Sequence, residues 1–279
     1  MSSSLDFPLG LRYKTLMRKT IAIQVTNVRE ESLLADKQAL YEIGIEPIYF
    51  GLIPFSDEVT GADSFDSFDE VITFGPVKAL KLWQRGLMPK SSIFFYDRDA
   101  FDQWQYRVRL GKHLLNYDAS YARLGSIKNK PLPVASFVKP TSDLKAFAGI
   151  QVEAGGTVAQ ALSGATQDNS LSDDELILIA PLHHIAHEYR SFVVNGEIVD
   201  TCSYRSCGRL KWDKSIPDEK KAIVTFHDGI ADMYRPHHTY VMDTAMLSSG
   251  EFKVIEYNCL NCSGKYECNR ADIFKALLS

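Results

Sequence analysis

Residues 188–204 carry a strong hairpin signal. Strand-like stretches at residues 188–194 and 198–204 flank the dipeptide Asn195-Gly196, whose residues tolerate the positive φ of a two-residue turn. The pattern therefore predicts an antiparallel strand pair. Further strands are predicted at residues 136–139, 149–152, 175–180, 239–243 and 252–258, and helices at 101–115 and 217–234. This mixture beyond residue 100 predicts an α+β region in which the strands are antiparallel.

The first hundred residues follow a different pattern, in which strands and helices alternate. This pattern places strands at residues 20–25, 46–50, 71–74 and 92–96, and helices at 30–43 and 77–85. The alternation indicates a small parallel α/β unit. Its polar, acidic spacer at residues 56–69 is expected to be a solvated loop. We predict an N-terminal α/β domain at residues 1–100 and a second domain at residues 101–279.

Charge and apolar patterning restrict the partners and the location. The sequence has 31 Lys and Arg against 35 Asp and Glu, a net charge of −4, so it has no overall attraction to nucleic acid or anionic lipid. The start lacks a secretory signal, and apolar runs such as residues 176–180 are far shorter than the roughly 20 residues that span a bilayer. We expect a cytoplasmic protein with no nucleic-acid or membrane partner and with its 5 cysteines reduced. The oligomeric state is not indicated.

The last predicted strand pair carries oxygen ligands. Glu256 and Asn258 are two positions apart on a strand, so their side chains leave on one face. Asp243 lies on the preceding strand. Such hard oxygen ligands suit Mg²⁺, which takes one or two carboxylates and completes its shell with water and phosphate oxygens. Taken alone, the pair Glu256 and Asn258 fits the solvent face of an edge strand better than a metal site.

Cations cluster in the same half of the chain. Lys139 ends an apolar strand beside the loop 141–149, where it could contact a phosphate or act as a surface charge. Arg190 shares its strand face with apolar residues and therefore needs either a structural carboxylate or an anionic ligand. Arg205 and Arg209 fall in a predicted loop rich in Ser, Cys and Gly, which favours ligand contact. Neither the GxxxxGK[ST] nor the GxGxxG phosphate-binding pattern occurs.

Histidines and cysteines give weaker signals. His183 and His187 are four residues apart, but their segment lies between predicted strands and lacks the HExxH order of zinc proteases. Cys259 and Cys262 have a common zinc-ligand spacing without a second well-spaced pair. A cysteine nucleophile with a histidine partner stays open as an alternative.

The order of these motifs resembles the ATP-grasp superfamily of ATP-dependent carboxylate–amine ligases. The resemblance covers about residues 105–279 and is similar to a compact branch found often in bacteriophage and bacterial genomes. It is carried by Phe137-Val138-Lys139-Pro140, Lys145-Ala146-Phe147-x-Gly149, Glu188-Tyr189-Arg190-x-Phe192-Val193, Asp243 and Glu256-x-Asn258-x-x-x-x-Ser263-Gly264-x-Tyr266. The fold it implies has an N-terminal Rossmann-like α/β (pre-ATP-grasp) domain followed by two α+β lobes that enclose the nucleotide, at about residues 101–181 and 182–279.

The resemblance also implies roles for individual residues. ATP would lie between the lobes, with the loop 141–149 closing over its phosphates. Phosphate contacts would come from Lys139 and Lys145, and from a further lysine that could be Lys112, Lys128 or Lys130. Adenine would meet the backbone of Ala180, Pro181 and Leu182, and ribose would meet His183 or His184. Arg190 and Arg205 would face the γ-phosphate or the substrate carboxylate, and Asp243, Glu256 and Asn258 would hold Mg²⁺.

The activity implied is the joining of a carboxylate to an amine of an amino acid, peptide or protein. The γ-phosphoryl group would pass to the carboxylate, and an amine would attack the resulting acylphosphate with release of phosphate. Two alternatives remain open at this point: a kinase-like phosphotransferase of the same fold, and a non-catalytic ATP-binding module.

Overall fold

The computed structural model of the protein describes residues 17–144, 146–165 and 171–279, whose strands form three sheets. The first sheet contains β1 (Lys19–Gln24), β2 (Ile48–Leu52), β3 (Val59–Thr60), β4 (Glu70–Phe74) and β5 (Ser92–Ile93), in the order β3-β2-β1-β4-β5. Helices α1 (Glu30–Glu42) and α2 (Val77–Gln84) follow β1 and β4. β1 is parallel to β2 and β4, and β4 is parallel to β5, which confirms the predicted parallel pairing. The Rossmann-like character of this unit and the boundary at residue 100 stay predictions.

The acidic spacer at residues 56–69 is not a solvated loop, so that prediction was wrong. It contains β3, which pairs antiparallel with β2, and a 3₁₀ turn at Ala62–Ser67. Phe65 within this turn is fully buried, and its ring meets Phe50 edge to face at 5.9 Å. The burial of one aromatic side chain outweighs the polar composition of its neighbours, because an apolar ring of this size gains several kcal/mol (roughly 2–3) on leaving water.

The second sheet is small and antiparallel throughout. It contains β6 (Ser120–Arg123), β7 (Ser136–Pro140), β8 (Ile150–Val152) and β9 (Leu176–Pro181), in the order β6-β9-β7-β8. Helices α3 (Gln103–Leu110), α4 (Leu124–Ile127) and α5 (Val158–Ala165) belong to the same region. The helix predicted at residues 101–115 ends earlier than expected, because Gly111 turns the chain with a φ of 49° into a 3₁₀ turn at Gly111–His113.

The third sheet is antiparallel and contains the predicted hairpin. Its strands are β10 (Ile185–Val194), β11 (Glu197–Ser206), β12 (Arg209–Lys214), β13 (Tyr240–Leu247) and β14 (Phe252–Asn258), in the order β12-β11-β10-β13-β14. Two local predictions were wrong. Arg209 begins an edge strand rather than lying in a loop, since β12 is exposed at every position and so lacks the apolar face that signals a strand. His187 lies within β10 rather than between strands.

The first and third sheets share one apolar core. Ile21 and Leu40 belong to the same buried cluster as Phe192 and Phe274. Helix α6 (Pro217–Ala231) lies beside β11, and the C-terminal helix α7 (Arg270–Leu278) packs on α1. Among the helices of the described residues, none is long and apolar enough to cross a membrane.

The side chain of Asn261, which follows β14, forms hydrogen bonds with the first sheet. It is 2% exposed, and its Nδ2 donates to the backbone oxygens of Thr73 at 2.9 Å and Ile93 at 3.0 Å. Its Oδ1 accepts from the backbone N–H of Phe95 at 2.8 Å. This side-chain amide therefore bonds to backbone groups that a neighbouring strand would otherwise pair. It explains why the strand predicted at residues 92–96 is paired only as far as Ile93.

Candidate active site

A cleft of about 760 Å³ lies between the second and third sheets. The second sheet lines it with Lys139, and the third sheet lines it with Arg190, Asp243 and Glu256. The connection between β9 and β10, residues 182–184, forms part of its wall. The fold thus gathers in one cleft side chains that the sequence predicted separately in distant motifs.

Three of these charged residues form a row across the third sheet. Arg190 on β10 pairs in register with Asp243 on β13, and Asp243 pairs with Glu256 on β14. Cross-strand partners point to the same face of a sheet, so the three side chains stand side by side on the cleft face. The antiparallel register therefore produces a row of one positive and two negative side chains.

Arg190 is held by a buried carboxylate. Its Nε and Nη2 donate to the two carboxylate oxygens of Asp243 at 2.8 and 2.7 Å, and its Nη1 donates to the backbone oxygen of Gly264 at 3.1 Å. The guanidinium also lies 4.9 Å from the ring centre of Tyr266. Of the two partners that the sequence left open, the structure gives Arg190 the carboxylate; its predicted contact with a phosphate or a substrate stays a prediction.

Lys139 connects the two sheets across the cleft. Its Nζ lies 2.5 Å from Oε2 of Glu256, and their side chains are 10% and 24% exposed. Because both side chains line the cleft, an anion that entered beside Lys139 would compete with Glu256 for the same ammonium. The pair therefore marks where phosphate binding and metal binding would be coupled.

The residues predicted to hold magnesium include a buried amide oxygen. Asn258 is buried, and its Nδ2 donates to Oδ2 of Asp243 at 3.1 Å, while its Oδ1 has no hydrogen-bond partner among the described residues. A buried amide oxygen without a partner is costly, and a cation would satisfy it. Within the described ranges, no group of three or more His, Cys, Asp and Glu could hold a metal. Asp243 and Glu256 offer the one or two carboxylates that Mg²⁺ takes, and Asn258 offers an amide oxygen. Their role as magnesium ligands stays a prediction.

Glu188 is a cleft residue to which the sequence reasoning gave no role. It pairs in register with Arg205, whose Nε lies 3.7 Å from its Oε1, and it accepts a hydrogen bond from the Tyr204 hydroxyl. Burial raises the pKa of Glu188 above the ordinary carboxyl range, against the lowering effects of Tyr204 and Arg205. Nε of Arg205 is buried, and no described residue is its hydrogen-bond partner. The two residues form a second pair beside Arg190 and Asp243.

The segment predicted to meet adenine and ribose follows the end of β9. Ala180 is 1% exposed within the sheet, whereas Pro181, Leu182 and His183 line the cleft. Nε2 of His183 is buried and has no hydrogen-bond partner within the part of the chain that the structure describes. His184 also lines this wall. The nucleotide roles of all these residues stay predictions.

The loop expected to close over phosphates is only partly described, since Lys145 lies outside the described residues. Gly149 lies against Phe137, because a Cβ at this position would be 2.4 Å from Cζ of that ring. An aromatic side chain therefore fills the space beside Gly149. Among the described lining residues of the cleft are neither Lys112, nor Lys128, nor Lys130.

Two antiparallel sheets facing each other across a cleft lined by lysine, arginine and paired carboxylates are the architecture of ATP-grasp proteins. The family model that matches residues 118–276 describes an ATP-grasp domain, family 2 of the R-two-K clade, and the chain belongs to this family. No curated protein matches the sequence.

Solved structures confirm the ATP-grasp fold. D-alanine–D-alanine ligase from Bacillus anthracis aligns with a TM-score of 0.57 at 13% identity, over 94% of this chain and 96% of that chain. D-cycloserine synthetase DcsG aligns with a TM-score of 0.54 at 13% identity, over 92% and 98%. A RimK domain ATP-grasp protein from Sphaerobacter thermophilus DSM 20745 aligns with a TM-score of 0.54 at 10% identity, over 93% and 100%.

Proposed function

We propose that the protein is an ATP- and Mg²⁺-dependent ligase that joins a carboxylate to an amine through an acylphosphate. The observation that carries the proposal is the charge row Arg190, Asp243 and Glu256, with Lys139 facing it from the opposite sheet. Such a row offers cations for phosphoryl oxygens and carboxylates for a metal at one place. Membership of the ATP-grasp family supports the same conclusion.

ATP would lie in the cleft between the second and third sheets. The ammonium of Lys139 would exchange Glu256 for phosphate oxygens, and Lys145 would add a second cation. The backbone at residues 180–182 would face adenine, and the buried Nε2 of His183 would gain a ribose hydroxyl as partner. The cleft volume of about 760 Å³ allows for a nucleotide with part of an acceptor.

The chemistry follows from the poor reactivity of a carboxylate toward amines. A carboxylate oxygen attacks the γ-phosphorus, the bond to the β-phosphate oxygen breaks, and ADP leaves. The amine nitrogen then attacks the acyl carbon, loses a proton, and expels inorganic phosphate. Arg190 and Arg205 would stabilise the charge on the phosphoryl oxygens and on the tetrahedral oxyanion, and no protein nucleophile is required. A magnesium ion on Asp243, Glu256 and Asn258 would neutralise phosphate charge and orient the phosphates.

The substrates are proposed to be amino acids or peptides. Two structural neighbours are named as a D-alanine–D-alanine ligase and an L-amino acid ligase, and a third as a D-cycloserine synthetase. The first two names describe small molecules with amino and carboxyl groups. A protein that carries an amino or a carboxyl group is the third proposed substrate, after amino acids and peptides.

The test is ADP release from Mg-ATP by the purified protein, with and without pooled amino acids, small peptides and acidic metabolites. We expect substrate-dependent ADP from the natural sequence and its loss in K139A and E256Q. The control is K19A, because Lys19 and Glu70 form a similar ion pair at 3.1 Å on β1 and β4, outside the cleft. Unchanged ADP release in K139A and E256Q would refute the proposal.

The product decides among the remaining functions. An amide product formed together with ADP and phosphate supports the ligase. A stable phosphorylated product without an amide would instead identify a phosphotransferase. Tight ATP binding without ADP in any pool would identify a binding module.

A further inference from the structure

Two buried cysteines lie side by side next to the backbone of Arg190. Cys202 on β11 is fully buried, Cys268 before α7 is 4% exposed, and their Sγ atoms are 3.0 Å apart. A disulfide joins two sulfurs at about 2.0 Å, so a movement of about one ångström would let these two bond. The ligase mechanism proposed above gives neither cysteine a role.

The two sulfurs also contact the backbone of each other's segment. Cys202 pairs in register with Arg190, and Sγ of Cys268 donates to the backbone oxygen of Arg190 at 3.7 Å. Sγ of Cys202 in turn donates to the backbone oxygen of Lys265 at 4.0 Å. Cys268 follows Cys202 by 66 residues, so the contact depends on the complete third sheet. A bond between the sulfurs would join β11 to the segment after β14 at the position of Arg190.

The segment of residues 263–268 supports Arg190 without belonging to a helix or a strand. Its Gly264 accepts a hydrogen bond from Nη1 of Arg190, and the ring of its Tyr266 lies 4.9 Å from the guanidinium. Tyr266 also stacks on Tyr204 of β11, with ring centres 5.3 Å apart. A covalent bond at the end of this segment would therefore limit how far these two supports can move away from Arg190.

The hydrogen bond between the cysteines favours a thiolate. Cys268 donates its S–H to Sγ of Cys202. This bond lowers the pKa of Cys202 below its usual value, against the raising effect of burial. Because the thiolate and not the thiol is the form that oxidants attack, the pair is more reactive than an isolated buried cysteine.

A cavity of about 520 Å³ reaches the pair, since Cys268 belongs to its lining. The charged residues among its described lining are three acids and three bases, which balance each other: Glu42, Asp200, Glu267, Lys214, Lys220 and Arg270. Balanced charge gives no preference for an ion, and the low exposure of both thiols excludes a bulky reagent. The oxidant that fits this access is a small neutral molecule such as hydrogen peroxide.

We propose that Cys202 and Cys268 are a redox-active pair that forms a reversible disulfide with hydrogen peroxide as the oxidant. One sulfur, as the thiolate, attacks a peroxide oxygen, the O–O bond breaks, and hydroxide leaves a sulfenic acid. The other sulfur attacks the sulfenic sulfur, the S–O bond breaks, and a second hydroxide leaves. The two thiol protons convert both hydroxides to water. The disulfide fastens residues 263–268 to β11 and so holds the supports of Arg190 in place.

The first test maps the cross-link in the purified protein. The reduced protein is treated with hydrogen peroxide, the remaining thiols are alkylated, and unreduced peptides are analysed by mass spectrometry. We expect a bond between Cys202 and Cys268 that dithiothreitol reverses. A bond between Cys259 and Cys262 in its place, accumulation of sulfinic acid at either member of the pair, or no bond at a dose that oxidises the exposed Cys207 would each overturn the proposal.

The second test measures what the disulfide does to the fold. Oxidation should raise the melting temperature by roughly 4–16 °C, because the bond closes a long loop in the unfolded chain. It should also slow hydrogen exchange at residues 263–268. Both effects should be absent in C268S and retained in the matched control C207S.

An equal rise in C268S, no rise in the natural sequence, or unchanged exchange at residues 263–268 would overturn the proposal. Should C268S fail to fold, the cross-link map of the natural sequence still decides. None of these measurements depends on turnover, so the result is separate from that for the ligase.

Discussion

Removal of the negative charge from Asp243 should destabilise the protein strongly. The variant D243N keeps the shape of the side chain but leaves the Arg190 guanidinium without its counter-charge in a site where the two side chains are only 8% and 3% exposed. Breaking a buried pair from one side costs about 3–5 kcal/mol, because the remaining charge stays buried and uncompensated. At ~2–4 °C per kcal/mol this corresponds to a fall in melting temperature of roughly 6–20 °C.

A double variant separates the effect of the unpaired charge on stability from the effect of side-chain packing. The double variant R190M/D243N removes the unpaired cation as well, so it should recover at least about half of the stability that D243N loses. An exposed pair serves as control: Lys211 and Asp213 on β12 lie 2.7 Å apart with side chains 67% and 53% exposed. D213N should change the melting temperature little, because solvent screens such a pair.

The assays are thermal unfolding, which gives the melting temperature, and urea unfolding, which gives the free energy. Both are followed by tryptophan fluorescence and by circular dichroism, with coincidence of the two transitions as the check on two-state behaviour. A loss below about 1 kcal/mol in D243N, similar to that in D213N, would refute the reasoning, because it would mean that water reaches the Arg190 guanidinium. A double variant no more stable than D243N would also refute it, since the cost would then lie in packing rather than in charge.

Three further predictions concern other parts of the structure. Burial raises the pKa of Glu188 above its ordinary 4.5, so the natural protein should lose stability as the pH rises from that value through the raised pKa. The variant E188Q should remove this loss. The free energies of urea unfolding of the two proteins should therefore differ at pH 7 and converge in acid. N261A should cost roughly 2–4 kcal/mol by leaving the Phe95 N–H and two carbonyls of the first sheet unpaired, and hydrogen exchange should locate the increased opening at residues 92–96 rather than in the second sheet. G149A should cost about 1–3 kcal/mol in thermal unfolding, because the Cβ would meet the ring of Phe137 at 2.4 Å; adding F137L should restore most of that loss, and failure to do so would place the strain elsewhere.

The sequence predicted which residues form the charge row and face it better than it predicted which side chains they contact. Residue type and strand position are local information, and this information indicated Lys139, Arg190, Asp243 and Glu256. Their juxtaposition could be anticipated for Asp243 and Glu256, which lie on sequential strands joined by a short turn. The contact between Lys139 and Glu256 spans 117 residues and two sheets, so no local pattern could reveal it.

Irregular register explains why Glu188 was overlooked. From the turn at Asn195-Gly196, an unbroken two-residue hairpin would place Glu188 opposite Ser203. Two bulges, between Phe192 and Val193 and between Glu188 and Tyr189, each shift the pairing by one residue and bring Arg205 opposite Glu188 instead. Bulges depend on packing across the whole sheet. The strand pair was therefore predictable, whereas the identity of its facing side chains was not.

The attachment of Asn261 to the first sheet has a consequence for synthesis on the ribosome. Asn261 follows Ile93 by 168 residues, so at about 5–20 residues per second its hydrogen bonds form roughly 8–34 s after that strand has been made. Helix α7, which covers α1, is translated later still. The first sheet, which is synthesised before the other two, is therefore among the last to complete its apolar core. A polypeptide released before residue 261 would carry an unfinished N-terminal sheet, exposed to chaperones and proteases, rather than a shorter but intact protein.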